Sequence, residues 1–211
     1  MKDIIKLSVS LGLVSTLAAA ALALAYSGTE SAIKEAQTKQ QSVNLKKVLP
    51  EYGNTPLSDR IEVDTVVFYR ARSAEHAPVT AVAGQAAAKG FGGPVRILVG
   101  INLDGSVRKV LVTKHSETPG LGTQVTDRQR RVSVFELMKG GTNQGDADAV
   151  PPNGFLDQYE RESFAFDGDV ECSIGGTVTP ISGATISSKA VNDAIKKVAA
   201  VFAANKADIL K

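Results

Sequence analysis

Ser182-Gly183-Ala184-Thr185-Ile186-Ser187-Ser188-Lys189 gathers four hydroxyl side chains and one ammonium in eight consecutive positions. The segment lies just ahead of Val191, Ile195, Val198 and Phe202, which recur at i, i+4, i+7 and i+11, the period of an amphipathic helix. The first backbone N–H groups of a helix have no partner inside it, and its dipole places partial positive charge there, so such a segment suits a phosphate. Gly183 and Ala184 let backbone approach closely, and Thr185, Ser187 and Ser188 add hydroxyls. Lys189 in the first turn opposes the dipole unless an anion lies nearby. Spacing alone equally describes a Ser-rich cap that merely starts the helix.

A second candidate is His115-Ser116-Glu117-Thr118-Pro119-Gly120-Leu121-Gly122. By spacing it is a Pro-Gly turn after a strand, with His115 at the strand end. A third segment, Gly90-Phe91-Gly92-Gly93-Pro94, leads into the clearest extended stretch of the chain.

The elements that must position these segments read as strands first and a helix last. Val95, Ile97, Val99, Ile101 and Leu103 occupy every second position and aim at one face of a sheet. Asp104-Gly105 suits a type I′ turn, and Val107–Thr113 resumes extended character, which together predict a β-hairpin. Ile61–Tyr69 reads as one strand, and Phe166–Asp169 as a second tight turn. Helices are expected over Asp127–Met138, with Val132, Phe135 and Met138 on one face, and over Lys189–Ala204. Gly140–Gly154 reads as a long loop. The expected fold class is α+β with a mostly antiparallel sheet.

Leu7 to Gly28 contains no charge, and as a helix of about 1.5 Å per residue it spans a bilayer core. Lys2 and Lys6 precede it, so the positive-inside tendency puts the rest of the chain outside the cytoplasm. Ala23-Leu24-Ala25 also fits a signal cleavage site before Tyr26, but the uncharged run is longer than the apolar core of most signals. The expected organisation is residues 1–28 as cytoplasmic terminus and transmembrane anchor, 29–60 as stalk and linker, and 61–211 as one extracytoplasmic domain.

Composition narrows the function further. Lys and Arg total 24 against 22 Asp and Glu in 211 residues, a net charge of +2, which argues against a nucleic-acid binder. The single Cys172 forms no intramolecular disulfide, and one Cys with two His argues against a structural zinc site. There is no cysteine set for an iron–sulfur cluster and no Gly-x-Gly-x-x-Gly dinucleotide fingerprint. Redox chemistry here needs a cofactor of another kind.

Gly90–Pro94, His115–Gly122 and the Ser-Gly-Ala-Thr-x-Ser pattern at 182–187, in that order beneath an N-terminal apolar helix, resemble the covalent FMN-binding domains. The likeness is greatest to the flavin subunit of the Rnf ion-translocating ferredoxin:NAD oxidoreductase, and extends to the related subunit of the sodium-pumping NADH:quinone oxidoreductase. It covers the anchor and most of residues 61–204. One departure is that Thr179 and Pro180 stand where an Asp is common.

The resemblance implies one FMN per chain, joined to the Thr185 side-chain oxygen as a phosphodiester by a separate flavin transferase. It implies that Ser182, Gly183, Ala184, Ser187, Ser188 and Lys189 surround that attachment. Glu117, Thr118, Pro119, Gly120, Leu121 and Gly122 are then expected beside the isoalloxazine ring, Leu121 against its face and Thr118 at an edge. The implied role is electron relay without independent turnover, among the other membrane and peripheral subunits of an Rnf-like complex. The implied place is the inner (cytoplasmic) membrane, single-pass, with the domain on the periplasmic or extracytoplasmic side. Rival readings are a stand-alone FMN carrier, a cofactor-free anchored scaffold, and a hydrolase using Ser182 with Lys189 or His115, though no Gly-x-Ser-x-Gly elbow is present.

Overall fold

The computed structural model describes residues 2–128, 150–160 and 178–211. The chain divides into two compact units, Met1–Ser42 and Val43–Lys211. Helix α1 runs Lys2–Val48 and contains a stretch long and apolar enough to cross a membrane. Leu7, Leu11 and Leu17 on it are all exposed, an arrangement that is stable only where something apolar covers them. Two hydroxyls of the apolar stretch bond inside the helix: Ser10 Oγ donates to the Lys6 carbonyl at 2.9 Å and Thr16 Oγ1 to that of Gly12 at 2.8 Å. That satisfaction is what a hydrocarbon surrounding requires. The helix stops two residues before Pro50, whose ring disfavours helical backbone at Leu49.

The second unit is built on a meander of five antiparallel strands in the order β1 to β5: Arg60–Val63, Val66–Arg72, Val79–Lys89, Pro94–Asn102 and Val107–Lys114. With the C-terminal helix this is an α+β fold. Val95, Ile97, Val99 and Ile101 of β4 all point into one core, as their alternation predicts. Leu103 does not continue the series; it lies in the turn and is 45% exposed.

That turn differs from the expected type. A type I′ turn needs left-handed backbone at both central residues, and here Gly105 has a φ of 91° while Asp104 has no positive φ. Gly105 N–H donates to the Asn102 carbonyl at 2.9 Å, and Asp104 Oδ1 accepts from the Ser106 N–H at 2.8 Å. The aspartate thus bonds the backbone two residues on, which stabilises the longer turn. The expected single strand over Ile61–Tyr69 is instead β1 and β2, reversed at Asp64, whose φ is 54°. The short Asp side chain tolerates left-handed backbone, so Asp64-Thr65 turns where β-branched neighbours suggested continuity.

Helix α2 is one turn, Thr123–Thr126, and a 3₁₀ turn follows at Leu156–Glu160. Helix α3 runs Thr185–Ile209, with a non-helical residue at Asn205. It starts one turn earlier than its apolar stripe indicates, because Thr185–Ser188 join it. Val191, Ile195, Val198 and Phe202 are buried against the sheet as predicted. The opposite sheet face carries a second core, where Leu45, Val48 and Leu49 meet Tyr69, Ala81, Ala83 and Leu98. Most of the helix expected over Asp127–Met138, the turn at 166–169 and most of the 140–154 loop lie outside the described residues; Asp127 itself is extended.

Candidate functional site

The first turn of α3 meets the loop after β5 at one buried bond. Ser187 Oγ donates to Glu117 Oε2 at 2.6 Å, and the two residues are 2% and 5% exposed. Glu117 Oε1 is buried with no hydrogen-bond partner among the described residues. The close fit explains two glycines. A Cβ at Gly90 would lie 2.1 Å from Glu117 Oε1, and one at Gly122 would lie 2.6 Å from Oε2 and 2.9 Å from Ser187 Oγ. The three segments singled out in the sequence therefore converge on a single carboxylate.

Around that bond the hydroxyls of the Ser182–Ser188 segment divide into two kinds. Ser187 is held by Glu117, and the fully buried Ser188 accepts the Ile181 N–H at 3.2 Å. Ser182, Thr185 and Lys189 are exposed. Thr185 is the first residue of α3, behind the buried Ala184 at the N-cap position, which provides no side-chain cap. An alanine there has no acceptor to offer, so the leading N–H groups lack the usual oxygen. Gly183 has a φ of 79°, and Leu121 Cδ2 lies 3.6 Å from where its Cβ would stand. Leu121 and Ile186 are 52% and 55% exposed.

In the loop, Thr118, Pro119 and Gly120 are exposed, and the Thr118 carbonyl accepts from Leu121 and Thr123 N–H groups at 3.2 and 3.3 Å. His115 has both ring nitrogens engaged: Nε2 lies 2.7 Å from Asp127 Oδ1, and Nδ1 accepts the Glu117 N–H at 3.3 Å. It braces the end of β5 against α2.

Beside this region is a cleft of about 790 Å³, lined in part by Gln124, Asp127, Asn153, Phe155, Gln158 and Ile181. Of the loop residues anticipated for a ligand, Gly120 lines it. The contributors from 150–158 were missed by sequence reasoning, although Pro152-Asn153-Gly154 carries the chemistry of an ordered turn. Asn153 Oδ1 accepts from the Phe155 and Leu156 N–H groups at 2.9 and 3.0 Å, while its Nδ2 donates to the Gln124 and Asp127 carbonyls. Gln158 holds Thr179 as a neighbouring strand would, accepting its N–H at 2.8 Å and donating to its carbonyl at 3.1 Å. That clamp fixes the approach of the chain to Ser182.

Residues 90–200 match the FMN-binding domain family, and the chain belongs to it. Over nearly its full length it is similar to the G subunit of the ion-translocating oxidoreductase complex of Methanosarcina acetivorans, 32% identical over 199 residues and 92% of each chain. The protein of the same name from Stutzerimonas stutzeri is 30% identical over 82% of this chain and 73% of its own. That from Pseudoalteromonas atlantica is 29% identical over 98% and 92%. The residues present fit a flavin phosphate: uncapped N–H groups at the start of α3, an exposed hydroxyl at its first residue, and a cleft within the range of small-molecule sites, roughly 300–1,000 Å³.

Proposed function

We propose that this chain is the FMN-carrying electron-relay subunit of a membrane-bound, ion-translocating oxidoreductase, with one FMN joined covalently to Thr185. The observation that carries the reading is the placement of Thr185, an exposed hydroxyl at the first position of an uncapped helix inside the family's matched region. In the attachment step Thr185 Oγ1 attacks the FMN-side phosphorus of FAD, brought by a flavin transferase. The new Thr O–P bond forms as the pyrophosphate P–O bond breaks, AMP leaves with the bridging oxygen, and the hydroxyl proton is released. The product keeps one negative charge, which the leading N–H groups and dipole of α3 hold.

Bound FMN supplies one- and two-electron chemistry, with the surrounding hydrogen bonds and charges setting its potential. Ile186 beside Thr185 and Leu121 beside Gly183 offer exposed apolar surface, and Lys189 adds an exposed cation one turn further along α3. Helix α1 anchors the chain, with the domain on the extracytoplasmic side, and its partners are the other subunits of an Rnf-like complex. The relatives' shared name, as a component of an ion-translocating oxidoreductase complex, supports that setting.

The test is intact mass with in-gel flavin fluorescence after denaturation, comparing the wild-type chain with Thr185→Ala, both co-expressed with a flavin transferase. Wild type alone should gain the mass of FMN less water and fluoresce. Flavin-free wild type would leave the anchored scaffold as the better reading.

A further inference from the structure

We propose that Glu117, acting through Ser187, is the positioning residue that sets Thr185 for flavin attachment. The inference rests on the function proposed above and assigns Glu117 a role away from the flavin itself.

A helix whose N-cap side chain bonds its leading N–H groups has a well-held first turn. Helix α3 has Ala184 in that position and no side-chain cap. The exchange suits a phosphate site, since a capping oxygen would occupy the same N–H groups that the phosphate needs. It also removes the usual restraint on the turn that carries Thr185. Glu117 restores the restraint from outside the helix. Its carboxylate accepts the hydroxyl of Ser187, the third residue of α3, at 2.6 Å, and places acceptor oxygens at the positive end of the dipole without occupying the backbone.

Three further observations make Glu117 a fixed post. It is 5% exposed, its Oε1 is buried and unpartnered among the described residues, and Gly90 and Gly122 stand so close to its oxygens that a Cβ at either would collide with them. Its own N–H is held by His115 Nδ1, and His115 is held by Asp127. A buried carboxyl oxygen left without a donor is costly. The other Glu117 oxygen, Oε2, holds the first turn of α3 through Ser187. The same bond takes Ser187 out of contention as an acceptor, as Ile181 does for Ser188, so Thr185 remains the presented hydroxyl of the helix.

The test measures initial rates of flavin transfer from FAD to the full-length chain in detergent by a flavin transferase, as a function of chain concentration, for wild type, Glu117→Ala, Ser187→Ala, Ser187→Thr and the Glu117→Ala/Ser187→Ala pair. Thr185→Ala reports separately on the site of attachment, and thermal unfolding reports on folding. A displaced reacting group loses on the order of tenfold to a hundredfold in rate. That loss is expected for each alanine variant, with the double variant no slower than either single one, because the two residues act as one unit. Ser187→Thr, which keeps the hydroxyl, should recover most of the rate. If Glu117→Ala does not fold, Ser187→Ala and its rescue by threonine decide alone. Folded Ser187→Ala modified at the wild-type rate would overturn the proposal while leaving Thr185 as the attachment site. Additive losses in the double variant would overturn it equally.

Discussion

Arg128 Nη1 donates to Asp157 Oδ1 at 2.6 Å, and only 3% of the arginine side chain reaches solvent. The same guanidinium donates to the Val110 carbonyl at 2.9 Å through Nε and to the Pro151 carbonyl at 3.1 Å, and it pairs with Glu160. Lys109 takes the other Glu160 oxygen at 2.6 Å. One buried side chain thereby ties β5 to the segment that walls the cleft.

Removing one partner of such a pair strands the other in a poorly solvated place. Arg128→Ala should cost about 3–5 kcal/mol of stability. Arg128→Lys should not recover it, since a point charge cannot reproduce a planar fork bonded on several sides. Urea unfolding of the full chain in detergent measures both; a loss below about 1 kcal/mol, the scale of an exposed pair, would contradict the buried network.

Packing of α3 on the sheet gives a second expectation. A Cβ at Gly84 would lie 2.4 Å from Val198 Cγ1 and 3.0 Å from Phe68 Cε1. Gly84→Ala should therefore cost about 1–3 kcal/mol through overpacking. Adding Val198→Ala should return part of that loss, because the two positions share one space. Phe202, whose ring centroid is 6.2 Å from that of Phe68, is 1% exposed, and Phe202→Ala should cost about 3–5 kcal/mol.

The dependence on pH follows from Asp59. Burial by itself raises its carboxyl pKa, but hydrogen bonds and charge from Arg72 and Arg70 outweigh that and hold it below the usual 3.8. A group with a lowered folded pKa stabilises the fold above its unfolded value and loses that contribution as pH falls through the folded one. Thermal unfolding followed downward from pH 6 should show wild type losing stability below about pH 4, with the loss smaller in Asp59→Asn. Parallel curves for the two proteins would remove Asp59 from the account.

Sidedness is open to direct labelling. Glu75 is exposed in the connection between β2 and β3, away from the Thr185 region in sequence and contacts. In a Cys172→Ser background, Glu75→Cys should react with a membrane-impermeant maleimide in intact spheroplasts. Protection until the membrane is opened would reverse the proposed orientation.

The elements of the sheet and the last helix could be read from residue order because their cores are periodic. Alternation in β4 and the i, i+4, i+7 stripe of α3 state which side is buried before any partner is known. Breaks were harder to read. Asp64 turns a run that is β-branched on both sides, and Leu103 continues an alternation that the Asn102–Ser106 turn has already ended. Local turn energetics decided both, against a pattern that pointed onward.

The site divides along the same line. Residue types and order alone placed the Ser182–Ser188 segment directly before a helix, put an uncharged helix at the N-terminus and marked the Gly-rich segments, since each is a property of neighbours in the chain; that Thr185 is itself the first helical residue was decided by the fold. Which hydroxyls remain free was a different matter. Ser187 and Ser188 look like Thr185 in sequence, and only tertiary structure commits Ser187 to Glu117, seventy residues away, and Ser188 to the turn at Ile181. The cleft wall from Asn153 to Gln158 and its tether through Arg128 were likewise settled by tertiary structure. Hydrogen bonds between distant segments depend on how the backbone brings them together, and no local period records that geometry.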